Sequence, residues 1–331
     1  MSANRSIIQT IAATVLLTAS LLSQAQAQSD AEGYPRRNVS ITVPYQAGGI
    51  ADSITRKIGE KLHQRLNRPM IVENRPGASG SIGSTFVYRA QPDGYTLLSS
   101  PSSPIIVNQF IQKSIAYEPE KLRSIALLAV APLVLTVRAD FPARDMKEFV
   151  SYVNANAEKI NYASNGIGGN AHIGTLLLMK AAGLTGPVHI PYNGASPALL
   201  AVLSGDAQFY IDSMSSTLPF VREGKMRILA VGSRERSSAL PDVPTFEEAG
   251  YKGLVLTTWF GLFAPPKTSS AVVEKLNQSV NEALQDQDIV NQYAELGLQV
   301  ARMTPNQMEA TVAADRAKWR AAIEEANISG N

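Results

Sequence analysis

The sequence contains no cysteine, which excludes a disulfide scaffold, a thiol nucleophile, and zinc or iron–sulfur sites with cysteine ligands. It has only three histidines, His63, His172 and His189, and no two of them have the spacing of a histidine metal-ligand pair. Lys and Arg together number 30 and Asp and Glu 28, so the chain lacks the basic excess of a phosphate-backbone binder. We therefore expect no metal site and no nucleic-acid partner.

Motifs for catalysis and cofactor binding are also scarce. No P-loop occurs, and Gly77–Ser81 departs from the nucleophile-elbow pattern because Ser81 stands where that pattern ends in glycine. Gly166–Ala171 matches a dinucleotide fingerprint between a strand and a helix, but no acidic residue ends the next strand, Val188–Tyr192. We expect no cofactor and no catalytic residue, while a ligand contact or a local polar contact stays open for His172.

The first 27 residues have the pattern of a secretory signal peptide. Arg5 precedes the uncharged, mostly apolar run Ile7–Leu22, and Ala25–Ala27 is a small-x-small cleavage site. A membrane anchor is the alternative, but the apolar run of about 16 residues is shorter than the about 20 that span a bilayer. An exported protein without cysteine is typical of a bacterial periplasm. We therefore expect cleavage after Ala27 and a periplasmic mature protein.

The remaining chain repeats strand and helix patterns in two tandem units. Asn38–Tyr45 alternates apolar and polar residues as a strand does, and Ile50–Leu66 has an apolar residue at every fourth position, as on one helix face. A second unit begins near Leu133–Val137, and Thr304–Gln307 has the arrangement of a helix capping box. Strand–loop–helix repeats predict an α/β fold with mostly parallel sheets and helical crossovers.

Three glycine-containing loops follow strands and precede helices: Gln46–Gly49, Gly77–Gly80 and Ser164–Gly169. In open α/β sheets this is the carboxyl edge, where ligands bind, and helix N-termini there favour anions. At Gly49 we expect a positive φ and a close approach of ligand to backbone. An ordinary turn explains any one of these loops, but the three together favour a binding cleft.

Several stretches resemble motifs of the Bug family, the solute-binding proteins of tripartite tricarboxylate transporters. They occur in the order expected for that family, at Val43–Asp52, Glu73–Gly83, Pro92–Thr96, His189–Gly194, Leu240–Thr245 and Glu248–Gly250. The resemblance implies a two-lobed, Venus-flytrap fold of the periplasmic-binding-protein type, each lobe being a mostly parallel sheet flanked by helices. The first lobe would hold residues 28–128 and 253–331, and the second lobe residues 129–252.

The resemblance also implies a ligand site, in which backbone N–H groups and waters grip a carboxylate. The first lobe would contribute Gln46, Ala47, Gly49, Gly77, Ala78, Ser79, Ser99 and Ser100. The second lobe would contribute Ser164, Gly168, Asn170, Tyr192 and Asp212. Asp52 is a further site candidate in the first helical turn, where we expect it to cap loop N–H groups because a carboxylate repels an anionic ligand.

The implied function is that of a monomeric periplasmic receptor for a small organic carboxylate. Dicarboxylates, tricarboxylates, aromatic acids and acidic amino acids all remain candidate ligands. The receptor would deliver its ligand to membrane permease subunits or to a sensor, and it would catalyse nothing. Two alternatives remain: a periplasmic hydrolase or isomerase that acts on a carboxylate in the same cleft, and a structural or partner-binding protein.

Overall fold

The computed structural model describes residues 33–192 and 194–325, so the predicted signal peptide lies outside the described residues. Within them the strands are β1 (Val39–Val43), β2 (Met70–Asn74), β3 (Thr96–Pro101), β4 (Arg123–Arg138), β5 (Asn161–Ser164), β6 (Val188–Pro191), β7 (Phe209–Ser213), β8 (Met226–Val231) and β9 (Thr257–Ala264). The α-helices are α1 (Ile50–Leu66), α2 (Ser81–Tyr88), α3 (Asn108–Ile111), α4 (Met146–Ala155), α5 (Asn170–Ala182), α6 (Ala195–Ser204), α7 (Met214–Arg222), α8 (Ser270–Ala283), α9 (Gln287–Glu295) and α10 (Pro305–Glu325).

The strands form one continuous sheet in the order β2-β1-β3-β9-β4-β7-β5-β6, with β8 also paired to β4. In the first half, β2 and β3 are parallel to β1, and β9 lies antiparallel between β3 and the first part of β4. In the second half, β6 and β7 are parallel to β5, while β7 and β8 are antiparallel to the second part of β4. Each half therefore has four strands in one direction and one reversed, which agrees with the predicted mostly parallel lobes.

The two halves of the sheet belong to two lobes, and the long strand β4 passes from one lobe to the other. Pro132 still pairs with Thr257 in the first lobe, whereas Leu133 pairs with Ser213 in the second. At this crossing the Gly232 N–H donates to the Leu133 carbonyl at 2.7 Å.

Each lobe has its own apolar core, built from the faces that the sequence periodicity indicates. In the first lobe Ile54, Ile58 and Leu62 of α1 are buried against the sheet, as the spacing of four predicts. In the second lobe Phe149 of α4 packs edge-on against Phe209 of β7, with 5.1 Å between ring centroids. A third apolar cluster joins Ile173 of the second lobe to Trp259 of the first, so the lobes are also packed against each other.

The C-terminal helix α10 braces the crossing between the lobes. Its first turn is the predicted capping box: the Thr304 N–H donates to Gln307 Oε1 at 2.9 Å, and the Gln307 N–H donates to Thr304 Oγ1 at 3.2 Å. Further along, Asp315 accepts a hydrogen bond from Trp259 Nε1 of β9 at 2.8 Å. Across the described ranges, no helix combines the length and apolarity that crossing a bilayer requires.

Candidate functional site

A cavity of about 800 Å³ lies between the lobes, where the carboxyl ends of strands from both lobes meet. Its volume falls within the range of about 300–1,000 Å³ typical of small-molecule sites. A cavity of about 750 Å³ beside Tyr34, Asp93 and Val272 is comparable in size. It touches only the first lobe and none of the three glycine loops, so the interlobe cavity is the candidate ligand site.

Half of the predicted site residues line this cavity. Those on its wall are Gln46, Ala47, Gly49, Gly77, Ser79, Asn170 and Asp212. The others lie behind or beside the wall: Asp52, Ala78, Ser99, Ser100, Ser164, Gly168 and Tyr192. Lining residues that the sequence analysis did not name include Tyr45, Asn165, Gly194, Ala195, Thr258 and Phe260. Asn165 lies within a predicted loop, whereas Thr258 and Phe260 lie on β9, a strand that the sequence analysis did not identify.

The helices that begin at the cavity have glycine at the N-cap. Gly49 caps α1, Gly80 caps α2, Gly169 caps α5 and Gly194 caps α6, and none of these helices has a hydrogen bond from a capping side chain. The first N–H groups of a helix have no partner within the helix. At α1, α5 and α6 these groups and the positive end of the helix dipole suit an anion. At α2 the Ser81 and Ile82 N–H groups already donate to the carbonyls of Ala78 and Gly77.

Three helices that begin away from the cavity, α4, α8 and α9, are capped by side chains. Asp145 accepts from the Glu148 N–H at the start of α4, and Asp286 accepts from the Asp288 N–H at the start of α9. Ser269 does the same for α8. Since side-chain caps stabilise helices by about 1 kcal/mol, their absence around the cavity leaves donors in both lobes available to a ligand.

The loop before α1 is shaped by Asp52, which lies behind the wall. Its Oδ2 accepts from the Gly48 N–H at 2.9 Å, and its Oδ1 accepts from Asn74 Nδ2 at 3.0 Å and forms an ion pair with Arg56. Burial acts to raise the pKa of Asp52, but hydrogen bonds from Arg56, Gly48 and Asn74 outweigh it and hold that pKa below its ordinary value. Asp52 thus caps loop N–H groups, as predicted.

The positive φ predicted at Gly49 is wrong. Gly49 has φ −77°, an extended conformation open to any residue, and the left-handed residue of this loop is Gly48, with φ 83°. The Gly48 N–H donates to Asp52 Oδ2, and the residue with positive φ lies one position earlier than expected. The Gly49 Cα faces open space, because a Cβ there would meet only the Gln46 carbonyl, at 3.6 Å.

The second glycine loop is held in a strained conformation. Gly77, Ala78, Ser79 and Gly80 all have positive φ, and for the two non-glycine residues this costs roughly 1–2 kcal/mol each. Asn108 Nδ2 donates to the Ser79 carbonyl at 2.9 Å, which fixes the loop against the first lobe. Strain that surrounding contacts maintain is a feature of ligand-binding loops.

Ser99 and Ser100 are buried behind the wall rather than on it. Ser99 Oγ lies 2.6 Å from Thr55 Oγ1 of α1, and Ser100 Oγ donates to the Pro101 carbonyl at 2.9 Å. Strand β3 continues to Pro101, so the chain reaches the cavity at Pro101 and Ser103 instead.

The third loop is held from behind by two histidines. His172 Nδ1 accepts from the Gly168 N–H at 3.1 Å, and Ser164 Oγ lies 2.6 Å from His189 Nε2. The two imidazole rings stack with 3.9 Å between centroids. Burial and then the neighbouring His189 lower the pKa of His172 to about 4, so His172 Nδ1 stays free to accept from the Gly168 N–H near neutral pH.

The pair Ser164–His189 has the geometry of a nucleophile and its base, but not the access. Ser164 is completely buried, and its hydroxyl already accepts from the Gly166 N–H at 3.2 Å. A serine nucleophile must reach its substrate. This pair therefore supports the shape of the loop rather than a hydrolytic reaction.

Asn170, at the start of α5, connects the two lobes beside the cavity. Its Nδ2 donates to Thr258 Oγ1 at 3.0 Å and to Ser102 Oγ at 3.3 Å, both in the first lobe. Its Oδ1 accepts from Ser103 Oγ at 3.3 Å. Asn170 thus joins the base of the cavity to the uncapped N-terminus of α5.

The cavity wall contains a buried acid and no basic side chain among the described residues. Asp212 is 5% exposed, and its Oδ2 accepts from Ser216 Oγ at 2.8 Å. Burial raises the pKa of Asp212, despite hydrogen bonds that act to lower it. No group of three or more potential metal ligands was found in the described parts of the chain. An anion bound in this cavity would therefore be held by backbone N–H groups rather than by an arginine or lysine side chain.

A family model described as "Tripartite tricarboxylate transporter family receptor" matches residues 54–328. The chain belongs to this family. The predicted Bug-family resemblance is therefore confirmed. MatC (Rpa3494) from Rhodopseudomonas palustris, solved with bound malate, is 33% identical, with a TM-score of 0.74 over 88% of this chain and 100% of that one.

Two further solved structures are similar to this tripartite tricarboxylate transporter receptor. The periplasmic binding protein BugD is 34% identical, with a TM-score of 0.75 over 90% of this chain and 100% of BugD. R. palustris Rpa4515, solved with adipate, is 27% identical, with a TM-score of 0.79 over 90% of this chain and 100% of that one. The predicted two-lobed periplasmic-binding-protein fold is confirmed.

Proposed function

We propose that this protein is a periplasmic solute receptor that captures a small organic carboxylate between its lobes and delivers it to membrane permease subunits. The observation that carries the proposal is the set of glycine-capped helix N-termini around one interlobe cavity, at Gly49, Gly169 and Gly194. A carboxylate can accept several N–H hydrogen bonds at once, and the helix dipoles favour its negative charge.

Relatives and the N-terminal sequence support this proposal. Two similar structures contain malate or adipate, both small dicarboxylates, and a third is that of the periplasmic binding protein BugD. Export follows from the signal-peptide pattern, with cleavage after Ala27. A sensor would take the place of the permease if the bound receptor serves signalling.

A receptor accounts for the cavity better than an enzyme does. Among the described lining residues, Asp212 is the single ionisable side chain apart from Tyr45. General acid–base catalysis normally uses positioned groups whose pKa values lie near the working pH. Burial raises the pKa of Tyr45 further above its ordinary value of 10, and so further from neutral pH. The buried hydroxyl of Ser164 adds no accessible nucleophile.

We expect small carboxylates to raise the melting temperature of the protein, while neutral sugars and polyamines do not. Ligand at tenfold over its dissociation constant adds about 1.4 kcal/mol, or about 3–6 °C for a chain of this size. The measurement is a thermal-shift screen on protein that has been unfolded and refolded to remove any retained ligand. A response to sugars or polyamines, with none to carboxylates, would contradict the proposed function.

A further inference from the structure

Two polar side chains of the second lobe lie side by side on the cavity wall. Strands β5 and β7 are parallel neighbours, and Ala163 pairs with Tyr210. Two residues further along the chain from this pair are Asn165, just past the end of β5, and Asp212 of β7, so both lie at the same edge of the sheet. Both line the interlobe cavity.

Both side chains offer hydrogen-bond acceptors that the protein leaves wholly or partly unused. Asn165 Oδ1 is buried and has no hydrogen-bond partner, the single such atom among the described residues of the wall. Asp212 is 5% exposed and has no ion pair, and no lysine, arginine or histidine is among the described lining residues. Buried polar atoms normally have partners, so these two require an explanation.

The chemistry of these acceptors conflicts with a ligand that is only an anion. A carboxylate oxygen cannot donate to Asn165 Oδ1, and it is repelled by Asp212 whenever that buried acid is ionised. A hydroxyl or ammonium group on the same ligand removes this conflict, because it donates a hydrogen bond where the wall presents acceptors. The carboxylate itself is then left to the helix N-termini.

We propose that Asn165 and Asp212 make the receptor select carboxylates that also carry a hydrogen-bond donor, a hydroxyl or an ammonium group, over the unsubstituted acid of the same skeleton. This inference rests on the proposed function, since it names the class of carboxylate bound in the same cavity. Sites that hydrogen-bond a ligand hydroxyl or amine reject analogues that lack it, because their own polar groups are then left unpaired.

A packing role for Asn165 is the competing explanation. A Cβ on Gly169 would come within 2.8 Å of Asn165 Oδ1, so the carboxamide lies over the N-cap of α5. If Asn165 only shaped this turn, its removal would weaken all ligands equally. The ratio of affinities between matched ligands separates the two explanations, because a general distortion leaves that ratio unchanged.

The test is calorimetric titration of refolded protein with three matched ligand sets. These are succinate, malate and aspartate; glutarate, 2-hydroxyglutarate and glutamate; and adipate with its 2-hydroxy and 2-amino derivatives. Within the set that binds most tightly, we expect the hydroxy or amino acid to bind at least tenfold tighter than the unsubstituted diacid. An unsubstituted diacid within threefold of both partners would overturn this inference while leaving the proposed function intact. No binding by any of the nine would overturn this inference, while the proposed function is decided separately by the thermal-shift screen of carboxylates against sugars and polyamines.

Variants assign the selectivity to the two residues. Asn165→Ala is expected to reduce the affinity ratio at least fivefold while the unsubstituted diacid keeps its affinity within twofold. Asp212→Asn keeps an acceptor and loses the charge, so it should weaken the amino acid more than the hydroxy acid. Asn291→Ala, on the exposed face of α9, is the matched control and should change neither ratio nor affinity. Equal weakening of all ligands by Asn165→Ala would support the packing explanation and reject ours.

Discussion

Replacement of Gly49 by aspartate is expected to weaken carboxylate binding at least hundredfold, or about 2.8 kcal/mol, without destabilising the protein. Gly49 is the N-cap of α1, and its φ of −77° and ψ of 171° suit an aspartate cap. The new carboxylate would accept the first-turn N–H groups that we assign to the ligand. It would also place a negative charge beside the ligand in a cavity without basic side chains among its described residues.

Affinity and stability should therefore change in opposite directions. An aspartate cap stabilises a helix by only a few tenths of a kcal/mol over a glycine cap, so the melting temperature should stay equal or rise slightly. Gly49→Ala is the matched control: its Cβ meets only the Gln46 carbonyl at 3.6 Å and brings no charge, so affinity should stay within threefold. Calorimetry that finds wild-type affinity in folded Gly49→Asp would remove the α1 N-terminus from the site.

Acid is expected to destabilise the protein by about 3 kcal/mol between pH 6.5 and pH 4, through His172. Burial and then His189 lower the pKa of His172 from 6.5 to about 4 in the folded protein. The unfolded chain therefore binds a proton at higher pH than the folded one, and falling pH favours unfolding across this interval. Each pKa unit corresponds to about 1.4 kcal/mol. The folded protein therefore keeps its full stability with respect to His172 above pH 6.5, and the whole of this loss is complete below pH 4.

Denaturant unfolding at a series of pH values measures this effect. His172→Gln keeps an acceptor for the Gly168 N–H but cannot be protonated. The loss of stability between pH 6.5 and pH 4 should therefore shrink by most of the about 3 kcal/mol assigned to His172. His63→Gln is the control, because His63 is exposed on α1. Burial also lowers the pKa of His189, so some pH dependence should persist. Equal pH dependence in His172→Gln and the native protein would show that His172 is not the titrating group.

Local sequence pattern predicts those elements of the fold that have one buried face. Helix α1 was predicted because Ile54, Ile58 and Leu62 repeat at the helical period, and all three are buried. Strand β9 and the first part of β4 were missed because they lie in the middle of the sheet. Their residues are buried on both faces, as in Ile125–Ala129, so they show no alternation.

Loop chemistry could likewise be predicted, but side-chain pairing across the fold could not. Glycine after a strand predicted the loop at Gln46–Gly49, whose residues Gln46, Ala47 and Gly49 are on the cavity wall. The free acceptor of Asn165 could not be read from the sequence, because it depends on which donors the folded chain fails to supply. Thr258 reaches the wall only through the pairing of β9 with β4.

A crystal structure of the protein with its best-binding carboxylate tests most directly whether uncapped helix N-termini form the ligand site. We expect the ligand in the interlobe cavity, with carboxylate oxygens about 3 Å from backbone nitrogens at the starts of α1 and α5. We expect no lysine or arginine side chain to contact it. A ligand bound outside this cavity, or a carboxylate held chiefly by a basic side chain, would contradict the proposed site.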